Sequence, residues 1–535
     1  MKALVAITAS LIVLALPIRA AADKPNIIVI MVDDMGFSDI GCYGSEIPTP
    51  NLDALAKNGV AFSQFYNTGR CCPTRASLLT GLYSHQTGIG WMTSDQKTPG
   101  YIGRLNDKCV TMAEVANGAG YFTAMTGKWH VGFEHGVTPT NRGFYRSLNL
   151  AAGGVHFSNQ TGSKGGASLY LNGEELPKDD ARFHPPWYGT DLWTDWGIQF
   201  LDEARTEKKP FFLYLAHAAP HFPCMAPEET IAKYRGTYLK GWDKLREERH
   251  QRQVESGLID PSWKLTPRPK EIPAWDSLSA DEQNRYDDMM AIYAAMIDEV
   301  DQSIGKLVSA LKERGELDNT LIFFLSDNGG NAEAGIPGRY DGDHPGDPHS
   351  NVFIGQCWAH LNNTPFRKYK HYNHEGGIAT PLIAHWPAGI QPHSAWNTTP
   401  THLIDIMATV VDVGGAEYPT TFNGHAITPM EGTSLKPVFA GGELDRPLFW
   451  EHEGNAAVRV GDLKLVRLGR NGPWELYDLK SDRTEQHDLA ASKPDDIARL
   501  SAQWEAWAKR AQVKPYPQAK GKKKGKGKAK AKDKA

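Results

Sequence analysis

Long apolar runs are scarce in this chain of 535 residues, and the one near the N-terminus is too short to span a bilayer comfortably. It runs from Ala3 to Leu16 behind Lys2, and Arg19 with the small residues Ala20, Ala21 and Ala22 follows. That order of charge, apolar stretch and small residues predicts a secretory signal over residues 1–22, cut from the mature protein. No later stretch approaches the ~20 apolar residues of a transmembrane helix, so the mature chain is expected to be soluble and periplasmic or extracellular.

Cysteine is sparse too. The six present (Cys42, Cys71, Cys72, Cys109, Cys224 and Cys357) are scattered, which excludes a disulfide scaffold, and no pair has zinc-finger spacing. They read as buried small side chains, with one disulfide left open. Net charge is only −4, but the tail from Pro517 to Ala535 holds nine lysines and one aspartate. The tail has no apolar periodicity and reads as a disordered, solvated terminus on an acidic body, so no specific nucleic-acid partner is expected.

What the chain does have is a series of short apolar runs with similar endings. Ile27 to Val32 delivers Asp33 and Asp34; Phe211 to Leu215 delivers His217 and His221; Leu321 to Leu325 delivers Asp327 and Asn328. A shorter run in YFTAMTGKWHVG delivers Lys128 and His130. Continuous apolar runs separated by helical patterns, as over 51–59 and 291–314, predict buried parallel strands in an α/β fold. Ligands bind such sheets at the carboxyl ends of the strands, so the four endings should converge. Each ending alone reads equally well as a turn with a helix cap. Together, Asp33, Asp34, Asp327 and Asn328 offer only hard oxygen ligands, which suit calcium or magnesium.

The segment TGRCCPTRASLLTGLYSH places Cys71 just ahead of a helix expected to be amphipathic, with Pro73 in its first turn and Ala76, Leu78, Leu79 and Leu82 on its apolar face. A helix N-terminus favours negative charge, and Arg75 adds a fork suited to an oxyanion. A structural thiol or a strained adjacent-cysteine disulfide are the plainer readings. Here the chain resembles the type I sulfatases: Cys71-Cys72-Pro73-Thr74-Arg75, continuing to Leu79-Thr80-Gly81, matches their signature Cys-x-Pro-Ser/Thr-Arg followed by Leu-Thr-Gly. The resemblance, closest to bacterial arylsulfatases, spans nearly the whole mature chain, through NIIVIMVDDMG, TGKWHVG, APHF, SDNGG and FRKYKHYNHEGGIATP.

The resemblance implies that Cys71 is converted by a maturation enzyme to formylglycine, whose hydrate is the nucleophile, with Cys72 the variable position. A thiolate attacking sulfur would leave a stable S-sulfonate, whereas a geminal diol attacks through one oxygen and expels sulfate with the other. The resemblance further implies one calcium ion on Asp33, Asp34, Asp327 and Asn328, faced by position 71. Arg75, Lys128 and Lys370 would neutralise sulfate oxygens, Asp327 would assist deprotonation, His130 would act as base and His221 as acid for the leaving alcohol. The implied substrates are sulfated small molecules or glycans. The implied fold is alkaline phosphatase-like: a large mixed, mostly parallel sheet flanked by helices, with a smaller C-terminal α+β subdomain containing an antiparallel sheet.

The domain division expected is 1–22 signal, 23–428 catalytic domain, 429–516 C-terminal subdomain and 517–535 tail. Strand-like pieces at 456–460, 463–468 and 474–477, then a helix carrying Ile497, Leu500, Trp504 and Trp507, fit the third unit. A polar, tryptophan-bearing insertion between Pro223 and Ser277 is expected on the surface near His221, its tryptophans either shaping the substrate mouth or merely covering the sheet. Glu451 and His452 in FWEHEGN are further candidates for the pocket. Two other readings remain: a phosphonate or phosphate ester hydrolase on the same scaffold, and an inactive exported glycan-binding protein. The lysine pair and the single metal site favour sulfate over the first, and the full set of polar residues argues against the second.

Overall fold

The computed structural model describes residues 24–162, 168–391 and 396–517. The expected signal and all but the first residue of the lysine-rich tail lie outside them. No helix among the described residues is long and apolar enough to cross a membrane.

The strands form because their sequences are apolar on both sides. In Asn26–Val32, residues Ile28, Ile30 and Val32 enter one buried cluster while Ile27, Val29 and Met31 enter another on the opposite face. A strand covered on both faces needs no alternation of polar and apolar residues, which is why these runs read as continuous. Nine strands make one sheet in the order 60–62, 382–385, 320–326, 26–32, 211–216, 122–128, 146–150, 169–171, 174–176. The five from 320–326 to 146–150 are mutually parallel, and antiparallel strands close both edges. Val32 pairs with Ser326, Met31 with Ala216, and Ala216 with Gly127. This register ends the four strands level with one another.

A 34-residue helix, Ala280–Glu313, packs on one face; the Ser279 hydroxyl accepts from the Glu282 amide while the Glu282 carboxylate accepts from the Ser279 amide. That reciprocal cap satisfies two of the free donors at a helix start. A separate four-stranded antiparallel sheet comprises Leu448–His452, Asn455–Val460, Leu463–Arg467 and Trp474–Asp478, followed by the helix Pro494–Arg510. Leu500, Trp504 and Trp507 of that helix are buried. All six cysteines are free, and five are buried.

Two expectations change. The helix Cys71–Thr80 is buried at all ten residues rather than amphipathic, because the helix Ile404–Val413 and its loops cover the side that would face water. The tryptophans of the insertion do not line a mouth. Trp242 is fully buried, with Trp275 4.8 Å and Trp358 5.4 Å away between ring centroids, and Trp263 donates its indole N–H to the Lys480 carbonyl. Polar residues of the insertion are internal as well: Arg249 is fully buried between Asp39 and Glu46, and Gln253 donates to the Tyr43 and Thr364 carbonyls. The insertion is a plug that fastens the loop after the first strand.

Candidate active site

Asp33 and Asp34 follow the strand 26–32, Asp327 and Asn328 follow 320–326, Lys128 ends 122–128, and His221 lies five residues after 211–216. All are buried, and the strand register brings them together. Asp34 takes φ 71°, turning its carboxylate off the strand direction, and its amide donates to Asp327 Oδ1 at 3.1 Å. Gly127, at φ 102°, passes so close to the neighbouring strand that an added Cβ would stand 1.9 Å from the Ala216 carbonyl oxygen. Only glycine fits there, and it sets the direction in which Lys128 leaves the sheet.

The cations sit on the carboxylates. Lys128 Nζ donates to Asp33 Oδ2 at 2.5 Å, and Lys370 Nζ lies 2.6 Å from Asp34 Oδ1. Lys370 arrives from a distant loop, held because its amide donates to the Gly330 carbonyl and the His371 amide to the Gly69 carbonyl. Arg75 Nη2 reaches Asp33 Oδ2 at 3.2 Å and Asp327 Oδ2 at 3.1 Å, while its Nη1 donates to the Lys128 carbonyl and the Tyr214 hydroxyl. Arg75 is therefore paired with carboxylates here, as the two lysines are.

Burial pushes the Asp33 carboxyl up, but Lys128, His221 and Arg75 together hold it well below the usual carboxylate range. Burial and the neighbouring Asp33 charge push Asp327 well above that range. Opposed shifts mark carboxylates too close to ionise together without more positive charge. Two acceptors in this group, Asp33 Oδ1 and Asn328 Oδ1, are buried with no hydrogen-bond partner. The Asn328 amide nitrogen is already spent on Asp34 Oδ1 and the Gly329 carbonyl. Unpaired hard oxygens beside an excess of carboxylate fit a calcium- or magnesium-type cation.

Cys71 opens the buried helix, 2% exposed, with Cys72 and His130 so placed that one ligating atom of each lies within 4.8 Å of the others. The Cys72 thiol, against the opposing effect of burial, and then His130 and Lys128 hold the Cys71 thiol well below its ordinary value. Burial keeps the His130 and His221 imidazoles below theirs, so both are neutral bases or acceptors at neutral pH. His221 Nδ1 stands 2.6 Å from the Phe222 carbonyl, an acceptor only, so Nδ1 carries the proton. Its Nε2 faces Asp34 Oδ2 at 3.6 Å.

Sequence reasoning missed three supporting residues. Asn331 donates to Asp34 Oδ2 at 2.7 Å, His156 Nε2 holds the His221 carbonyl at 2.9 Å, and Glu333 pairs with Arg70 at 2.8 Å. Asn331 and Glu333 stand just after Asn328 in SDNGGNAE, a polar cluster following a strand, and that was the available signal. Glu451 does not reach the pocket: it pairs with buried His85 at 2.7 Å and accepts from the Gly454 amide. His217 is fully buried beyond the site, and neither ring nitrogen has a partner.

Comparison with known proteins places the chain in a family. Residues 25–416 match the sulfatase family model, and residues 366–505 match the C-terminal model of N-sulphoglucosamine sulphohydrolase. An uncharacterized sulfatase of Schizosaccharomyces pombe is 33% identical, over 93% of this chain and 96% of its own length. The arylsulfatase of Klebsiella aerogenes is 34% identical, over 78% of this chain and 93% of its own. The crystal structure of Ps i-CgsB in complex with k-i-k-neocarrahexaose superposes with a TM-score of 0.67 at 29% identity, covering 91% of this chain and 93% of that one.

Proposed function

Because the chain belongs to the sulfatase family and is a sulfuric ester hydrolase, we propose that it is an exported enzyme cleaving sulfate monoesters through an oxidised side chain at position 71 and one bound calcium ion. The observation that carries this reading is the meeting of Cys71, at a helix start, with Lys128, His130 and the unpaired oxygens of Asp33 and Asn328.

The Cys71 sulfur marks the place of the oxygens of a formylglycine hydrate, which supplies one hydroxyl to attack sulfur and a second to release sulfate. Asp33, Asp34, Asp327 and Asn328 would hold calcium, which supplies Lewis-acid polarisation of a sulfate oxygen. Lys128, Lys370 and Arg75, now paired with these carboxylates, would neutralise the sulfate oxygens if a cation shared the carboxylates. Arg75 keeps the carboxylates in register. His130, neutral and beside position 71, takes the proton of the second hydroxyl. His221 presents Nε2 at the pocket and, after taking a proton from solvent, gives it to the departing alcohol. The substrate class is aryl or carbohydrate sulfate; the k-i-k-neocarrahexaose complex of the 29%-identical structure supports the latter. Oxidation of position 71 requires a maturation enzyme as partner.

Two measurements test this. In His221→Ala, turnover of esters with poor leaving groups should fall about 10²- to 10⁴-fold, while activated aryl sulfates lose far less. An equal loss across a leaving-group series excludes the acid role. Removing calcium with a chelator should lower Tm by a few degrees and stop turnover, both restored by calcium, since a ligand of the native state stabilises it. A metal-free sample, verified by elemental analysis, with an unchanged Tm and undiminished turnover would exclude the ion.

A further inference from the structure

Away from the catalytic oxygens, two segments distant in sequence bring His371, His452 and Glu453 together. His371 follows Lys370, and His452 and Glu453 stand at the turn between strands 448–452 and 455–460. One ligating atom of each lies within 4.8 Å of the other two. His371 Nδ1 stands 3.3 Å from Glu453 Oε2, and His452 Nε2 stands 3.8 Å from Glu453 Oε1, too far for a hydrogen bond. The His452 ring is fully buried and neither of its nitrogens has a hydrogen-bond partner. A buried polar atom left unpaired is costly, so the arrangement asks for a ligand.

We propose that His371, His452 and Glu453 form a second metal site, for a borderline divalent cation of the zinc class, with one coordination position open to solvent beside Glu453. Two imidazoles and a carboxylate are a zinc donor set, whereas the all-oxygen centre is not. The surroundings fit the assignment. Glu333 Oε1 lies 3.3 Å from His371 Nε2, so an ion on Nδ1 leaves Nε2–H pointing at a carboxylate, the usual outer partner of a metal-bound histidine. Trp91 holds Glu453 Oε1 at 2.7 Å, and Asn455 holds the His371 carbonyl at 2.9 Å, so both segments are already fixed.

The site also touches the nucleophile helix. Arg70 Nη1 lies 2.5 Å from the same His371 Nε2 and 2.8 Å from Glu333, and Arg70 is the residue capping the helix that begins at Cys71. Metal on Nδ1 makes Nε2 a donor, which cannot share a bond with the Arg70 donor. Arg70 must then shift, so zinc binding lowers turnover.

Zinc alone is the probe, titrated into calcium-loaded enzyme whose position 71 is verified as oxidised by peptide mass. One zinc should bind saturably, turnover should fall about fivefold or more, and a zinc-selective chelator should restore it. Glu453→Gln and His452→Gln should each weaken zinc binding about tenfold or more, read by equilibrium dialysis and not by activity. Cobalt in the same site should give the visible spectrum of nitrogen and oxygen ligands, without thiolate charge transfer. No saturable zinc, wild-type affinity in folded Glu453→Gln, or a thiolate band placing the ion on Cys72 overturns the site. Zinc bound there with full turnover overturns its link to Arg70.

Discussion

Cys71→Ala is expected to abolish turnover, by at least about 10⁴-fold, while the protein still folds. The loss follows from chemistry: alanine cannot be oxidised to an aldehyde, and the nearby Thr74 hydroxyl is held by Thr68 at 2.8 Å and has no second hydroxyl with which to release sulfate. The fold survives because one sulfur atom is removed from a helix otherwise buried along its length, a cavity of about one methyl group that costs ~1 kcal/mol. Cys72→Ala is the control. Its thiol contacts Met92 Sδ at 3.6 Å and touches no carboxylate of the centre, so its loss should leave most of the activity. Initial rates with an aryl sulfate, circular dichroism melts and the mass of the position-71 peptide decide the matter. The assignment fails if Cys72→Ala alone stops turnover while position 71 is still oxidised.

The second large effect lies in a buried ion network that joins the Lys370 loop to the C-terminal sheet. Glu375 Oε1 pairs with Lys464 at 2.7 Å, its Oε2 pairs with Arg483 at 2.9 Å and accepts from the Tyr66 hydroxyl at 2.9 Å, and Lys464 also reaches Glu485 at 2.8 Å. The charged side chains of this group are fully buried. Burial pushes the Glu375 carboxyl up, but Lys464 and Arg483 bring it down to about 2. Removing one member of such a group strands its partners' charge in the interior. Glu375→Ala is therefore expected to destabilise the protein by about 3–5 kcal/mol, a marked drop in Tm. Glu375→Gln should cost less, because its amide oxygen still accepts from Tyr66. Activity should fall with stability, since Glu375 heads the short helix that ends the Lys370 loop. An unchanged Tm in Glu375→Ala would show that the network holds nothing.

Much of this molecule was legible before its structure. The runs ending at Val32 and Leu325 read as parallel strands because both faces of each are covered, and their polar endings read as one site because strands of a parallel sheet finish on one edge. The order of the nine strands was not legible, since crossovers leave no mark in a local pattern. The partners of Arg75, Asp33 and Asp327, were not legible either, because a signature records which residue stands at a position and not which way its donors point. The insertion was misread for a different reason: its polarity suggested solvent, yet Arg249 with Asp39 and Glu46 shows charge satisfied inside, leaving Trp242 free to be core. Asn331 and Glu333 escaped because their partners, Asp34 and Arg70, lie hundreds of positions away.

The helix that begins at Cys71 is walled in along its whole length, and its first side chain shows only 2% of its surface. An enzyme of ordinary size cannot close its own cleft around a side chain so enclosed. The proposed oxidation of that residue would therefore have to come early, on a polypeptide still loose enough to be threaded through another catalyst. A cell that folded this chain first would lock the unoxidised thiol in for good.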